Sequence, residues 1–226
     1  MTTMKPQLRT LTQSDLPKIA EVHIAAFPHA AITKLGHEAV RRYYDWQFTG
    51  PHDLVAIGTF EGDRLIGILF AGVFRGALTG FVRKNALFLT TRLLVRPWLI
   101  VHEDIRTDLL LGIRLVMPKA AKKTSVAALQ APKTNAIVRY LGSLSLAVHP
   151  DYRGLAAIMM VREIERIALE RHFGGVNLVT HPDNITTTKL YTMMGYDKVI
   201  DKGEWRGGLR KTFATPAIDM RAEQEK

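Results

Sequence analysis

One stretch constrains this chain more than any other. From Ile137 to Val148 the residues read as an apolar strand, and His149-Pro150-Asp151 breaks it. A helical pattern follows from about Leu155 to Arg171, with Met160, Ile164, Ile167 and Arg171 on one stripe. A strand, a sharp break and a tight turn into a helix can bind an anion. The backbone N–H groups at a helix start have no internal partner, and they carry the positive end of the helix dipole. Gly154, Ala156 and Ala157 keep the turn small enough for a phosphate to approach the backbone, and Arg153 adds charge.

The rest of the chain fixes the class of fold. Leu8 to Thr12 reads as a strand, and a helix follows with Ser14 as its cap and Asp15 in its first turn. Its stripe of Leu16, Ile19, Ala20, His23 and Phe27 assigns His23 to packing, and Phe27-Pro28 ends it. A second helix is expected over Ile32 to Phe48, with Leu35, Ala39, Tyr43 and Trp46 inward. Leu54 to Phe60 and Leu65 to Val73 are strand-like runs around the turn Glu61-Gly62-Asp63-Arg64. Gly174-Gly175 should end the long helix, before a strand at Val176 to Thr180 and a helix at Thr186 to Met194. Lys198 to Trp205 and Lys211 to Met220 read as a closing hairpin around Gly207-Gly208. The order predicts an α/β chain with a single mixed central sheet flanked by helices, one domain over residues 1–226.

A helical insertion at about 74–133 interrupts that order. It carries eleven basic residues against three acidic ones, so most of the chain's formal charge of +10 lies there. Its greasy helical patterns are Asn85 to Val101 and Asp108 to Val116. The first has Ala86, Leu87, Leu89, Leu93, Leu94 and Trp98 on its apolar face, with Lys84, Arg92 and Arg96 clustered as charge. Such a face packs on the protein itself or on a homodimer mate, or it rests on an anionic membrane surface. Arg92, Arg96 and Pro97 break the run, which argues against a spanning helix. The chain has no cysteine, which excludes disulfides and a thiol nucleophile. Met1 to Arg9 lacks the apolar run of a signal peptide. The expected place is cytoplasmic, with a membrane-peripheral variant.

A second stretch narrows the chemistry. His181-Pro182-Asp183-Asn184 follows a strand, and Lys189-Leu190-Tyr191-Thr192-Met193-Met194-Gly195-Tyr196 comes next. Asn184 can offer its amide to a peptide-like arm, and the Tyr191 hydroxyl can donate a proton. With Leu146-Ala147-Val148 and Pro150-Asp151-Tyr152-Arg153-Gly154, the order and spacing resemble the GNAT superfamily of N-acetyltransferases. The resemblance covers roughly Leu8 to Phe74 and Ile137 to Met220. It departs in the turn, where the family has Arg-x-x-Gly-x-Gly/Ala. Ala156 and Ile158 stand at the two glycine positions, and Ile158 is expected to crowd a phosphate.

The resemblance implies a GNAT-like acyl-CoA N-acyltransferase fold and direct transfer from acetyl-CoA to a primary amine in a ternary complex, without a metal. It implies that Leu146, Ala147 and Val148 hold the pantetheine arm. Arg153, Gly154, Leu155, Ala156, Ala157 and Ile158 would cradle the pyrophosphate, with Asn184 and Tyr191 completing the cofactor site and Tyr191 as general acid. The base stays open among Ser143, Ser145, His149, His181, His37 and Glu38. The acceptor is expected to be a small-molecule amine. Phe27, Thr33-Lys34-Leu35-Gly36 and Arg42-Tyr43-Tyr44 are similar to bacterial relatives associated with cell-surface polysaccharide synthesis, which implies an amino sugar. A protein lysine or N-terminal acetyltransferase, and a CoA-binding module without catalysis, are the alternatives. No nucleic-acid partner is expected.

Overall fold

The structure, a computed structural model, describes residues 5–95, 139–152 and 154–213. Its first strand is β1, Gln7–Thr10. Helix α1, Leu16–Ala26, follows a 3-10 turn at Gln13–Asp15. The turn begins at Thr12, whose N–H donates to Asp15 Oδ2 at 2.9 Å. Thr12, not Ser14, therefore caps this segment. The expected second helix is two helices, α2 at Ala31–Lys34 and α3 at His37–Thr49. Gly36 divides them with φ 101°, a backbone conformation side chains oppose. The break changes the inward face of α3 to Ala39, Val40, Tyr44 and Gln47.

Strands β2, Asp53–Glu61, and β3, Arg64–Val73, form the expected hairpin. Helices α4, Ala77–Lys84, and α5, Ala86–Val95, open the insertion. They pack on α3. Arg42 Nη1 donates to Asn85 Oδ1 at 3.4 Å, and its guanidinium lies over the Phe88 ring. Arg92, expected as surface charge, instead donates through Nε to the Leu35 carbonyl at 3.0 Å. Leu89 is buried, whereas Leu87 and Leu94 are exposed. Trp98, Arg96 and the expected helix at Asp108 to Val116 lie outside the described residues.

Strand β4, Tyr140–Val148, leads to a 3-10 turn at Pro150–Tyr152 and helix α6, Leu155–Glu170. Helix α6 ends before Gly174, because His172 takes the left-handed conformation at φ 57°. Gly175 then opens β5, Gly175–Val179. Helix α7, Ile185–Met193, precedes β6, Asp197–Asp201, and β7, Glu204–Thr212. The last hairpin therefore turns at Lys202-Gly203, not at Gly207-Gly208. Gly207 lies inside β7, where a Cβ would stand 1.9 Å from the Thr180 carbonyl oxygen. A glycine needed for close strand approach looks, in sequence, like a turn.

Among the described residues the sheet has seven strands in the order β1-β2-β3-β4-β5-β7-β6. Only the β4–β5 pair is parallel. One face is covered by α1 and α3 around Ile19, Tyr44 and Phe70. The other is covered by α6 and α7 around Met160, Ile164 and Tyr196. This is the mixed sheet flanked by helices that the sequence predicts. Among the described residues no helix is long and apolar enough to cross a membrane.

Candidate active site

The site begins with a failure of pairing. The β4–β5 ladder covers Tyr140, Leu141 and Gly142 against Gly175, Val176 and Asn177, then stops. Strand β4 runs on to Val148 and β5 to Val179. On its other side β4 carries a bulge. Phe70 pairs with Ser145 and Ala71 with Ser143, so Leu144 is the extra residue. A bulge bends its strand and adds twist, and here it lies where the two strands part. The His149 N–H donates to the Ile66 carbonyl at 2.8 Å. Alternation along the strand then turns the main-chain groups of Leu146 and Val148 away from β3 and into the gap.

The gap widens into a cleft of about 930 Å³. Leu146, Ala147, Val148, Gly154, Ala157, Asn184 and Tyr191 all line it. The start of α6 has no side-chain cap, so its first amides are open to a ligand. A Cβ added at Gly154 would meet nothing within 4 Å, which leaves that approach clear. Arg64 Nη1 donates to the Tyr152 hydroxyl at 3.1 Å and ties the preceding turn to the hairpin end. Leu155 is exposed beside the cleft, and Ala156 is buried beneath it. Ile158 does not crowd the turn, because its side chain packs against the core cluster of Met160 and Ile164. Helical geometry accounts for this: positions 156 and 158 point differently from Ala157, which borders the cleft. Arg153 lies outside the described residues.

At the far side, Asn184 caps α7 by accepting from the Thr187 N–H at 3.1 Å. Its Oδ1 is thus occupied, and Nδ2 is the group left for a ligand. Tyr191 is 3% exposed, and burial pushes its phenol up to about 12. The hydroxyl stays protonated at neutral pH.

The candidate bases separate clearly. Ser143, Ser145 and His181 line the cleft, while His37, Glu38 and His149 do not. Glu38 is held by Arg41 at 2.7 Å and by Arg42 at 2.7 Å. The Arg41 hydrogen bond, with help from Arg42, brings its carboxyl down to about 2, so it is no base at neutral pH. His23 is buried on the helix stripe, as the sequence predicts, and it also reaches the cleft. It is only 7% exposed. Its Nδ1 lies 2.9 Å from the Tyr44 hydroxyl, which lies 2.9 Å from Ser145 Oγ. Separations of 21 and 101 residues hide this line from any local pattern.

Burial lowers the His23 pKa from 6.5 to about 4. Above 6.5 the ring is neutral in both folded and unfolded chains. Below it, the unfolded chain takes up a proton that the folded chain refuses, so stability falls with pH. Urea unfolding at neutral pH and near pH 4 should show wild type losing about 3 kcal/mol more than His23→Gln. Parallel losses in the two proteins would contradict the burial assigned to this ring.

Among the described residues, no group of three His, Cys, Asp or Glu residues could hold a metal ion. No protein-family model matches the sequence, and no curated protein matches it. Solved structures do resemble it. The PaiA N-acetyltransferase of Thermoplasma acidophilum, solved with coenzyme A, has a TM-score of 0.53 at 13% identity, over 93% of this chain and 100% of that one. An acetyltransferase of Thermus thermophilus has a TM-score of 0.52 at 15% identity, over 94% and 100% of the two chains. NAA60 of Arabidopsis thaliana, solved with acetyl-CoA, has a TM-score of 0.52 at 14% identity, over 92% and 98%. With its helix-flanked mixed sheet and its parting of β4 from β5, this chain has the fold of the GNAT acetyltransferases.

Proposed function

We propose that this protein is an acetyl-CoA-dependent N-acetyltransferase acting on the primary amine of a small molecule. One observation carries the reading. The open edge of β4, the uncapped start of α6 and Tyr191 all border a single cleft. The similar Thermoplasma and Arabidopsis structures, solved with coenzyme A and acetyl-CoA, support it.

The residues fit acetyl-CoA as a substrate. The main-chain groups of Leu146 and Val148 offer the amide-bearing pantetheine arm a strand edge. The amides from Leu155 to Ala157 offer the pyrophosphate a helix start. Asn184 adds one donor through Nδ2. Bound there, acetyl-CoA supplies an acyl carbon activated by its bond to sulfur.

The chemistry then balances simply. The acceptor nitrogen bonds to the acyl carbon, the carbon–sulfur bond breaks, and the proton lost by nitrogen ends on sulfur by way of water. A free N–H on the β4 edge stabilises the charge that builds on the acyl oxygen. Tyr191 acts at the sulfur. Burial pushes its phenol up to about 12, so the hydroxyl is present as a donor at neutral pH. Its part is to donate to the developing sulfur anion, the general-acid role expected from sequence.

The direct test offers acetyl-CoA with a panel of small primary amines and with peptides bearing a free N-terminus or lysine. Mass spectrometry should find acetylated small amines, with thiol released in step. Acetylated peptides alone, or thiol released without any acetylated amine, would contradict the reading.

A further inference from the structure

The cleft is bordered by a polar feature that packing does not explain. His23 on α1, Tyr44 on α3 and Ser145 on β4 form one hydrogen-bonded line with two contacts of 2.9 Å. The other ring nitrogen, His23 Nε2, is buried and has no hydrogen-bond partner among the described residues. Leaving a buried polar atom unmet is unfavourable, whereas an apolar side chain of similar shape would avoid that penalty. The ring with this unmet nitrogen borders the cleft. Phe27 meets the ring edge-on with centroids 5.1 Å apart, and Ala26, Ala31, Ile32 and Leu78 add apolar wall to the same cleft.

We propose that His23 Nε2 is the hydrogen-bonding point for the acceptor's amino group, and that the acceptor is a primary amine on an apolar body. Tyr44 and Ser145 are positioning residues that hold the ring. The inference rests on the acetyl-transfer reading above and narrows its substrate class.

The geometry gives the reason. When Tyr44 accepts from Nδ1–H and donates to Ser145, Nε2 presents a lone pair. Burial keeps the ring neutral near pH 7, so the lone pair is available. It accepts an N–H from the amine and leaves the amine's own lone pair free to attack. As the nitrogen bonds to the acyl carbon it becomes positive and donates more strongly. The hydrogen bond is then tighter in the transition state than in the bound ground state. The apolar wall selects what the amine is attached to. Each sugar hydroxyl set against that apolar wall loses its hydrogen bonds to water, which favours an amine on an apolar body over the amino sugar expected from sequence.

Steady-state kinetics on the full chain tests both halves, with benzylamine and glucosamine as probes. Acetyl-CoA affinity is measured alongside by calorimetry. Wild type should prefer benzylamine by about tenfold or more in kcat/KM. His23→Phe, which fills the space without the nitrogen, should lower kcat/KM for benzylamine by about tenfold to a hundredfold, with acetyl-CoA affinity nearly unchanged. His23→Gln, which restores an acceptor atom, should recover part of the loss. A merely packed ring would give no such recovery. Wild-type kinetics in His23→Phe, or a preference for glucosamine, would overturn the inference. Should the variants misfold, nitrogen-15 NMR of the wild-type histidines decides the matter. Saturating benzylamine should shift the His23 Nε2 resonance in the coenzyme A complex, and an unmoved resonance would overturn the proposal. A wild-type protein that neither binds acetyl-CoA nor acetylates any amine would instead overturn the reading beneath it.

Discussion

Tyr191→Phe is expected to lower turnover about a hundredfold while leaving acetyl-CoA affinity nearly intact. The variant keeps the ring, which packs in the core near Tyr196 with centroids 5.9 Å apart. It removes only the hydroxyl and leaves the apolar contacts of the ring in place. The fold should therefore tolerate the change, and the loss should fall on kcat. A variant that turns over at the wild-type rate would show that Tyr191 is a packed aromatic and nothing more.

The largest effect on stability is expected from Lys211→Met. Lys211 on β7 donates to Glu165 Oε2 on α6 at 2.9 Å and to the Met194 carbonyl at 2.9 Å. The Glu165 side chain is 9% exposed and that of Lys211 23%. This pair ties α6 and the end of α7 to the sheet, beneath the loop that carries Tyr196. Removing Lys211 takes away the closer partner and leaves the buried Glu165 carboxylate with only the longer contact to Arg162 at 3.5 Å, at a cost of about 3 kcal/mol. Thermal unfolding should therefore drop by roughly 6–12 °C for a domain of this size. Replacing both partners, as Glu165→Leu with Lys211→Met, should return much of the loss, because no charge is then left alone. A loss under about 1 kcal/mol in the single variant would mean that the pair behaves like a surface contact.

The elements that sequence predicts well are those whose pattern is local. The hairpin of β2 and β3 is legible from apolar runs around Glu61-Gly62-Asp63-Arg64, and α6 from its stripe and the Pro150 break. The misplaced boundaries all depend on contacts made elsewhere. Gly207 serves a close approach to Thr180 across the sheet, and Lys202-Gly203 makes the turn. The inward face of α3 is set by the break at Gly36 and by α4, whose Phe81 meets the ring of Tyr43. The same division runs through the site. Leu146, Val148, Gly154, Ala157, Asn184 and Tyr191 could be selected from motifs, and they border one cleft. His23 could not be, since its partners are brought to it only by the packing of α1 and α3 on β4. Ile158 shows the converse. A large residue at a glycine position of the motif suggests obstruction, but the helix turns that side chain into the core.

The gap between β4 and β5, bordered by the start of α6, is expected to bind acetyl-CoA. Calorimetric titration of acetyl-CoA into wild type and Ala157→Glu tests it most directly. A glutamate in the first turn suits a helix start, so the fold should be unharmed, yet its charge would stand where the pyrophosphate is placed. Wild type should bind in the micromolar range or tighter, and Ala157→Glu about tenfold or more weakly. No heat of binding at millimolar acetyl-CoA, or equal affinity in the two proteins, would contradict it.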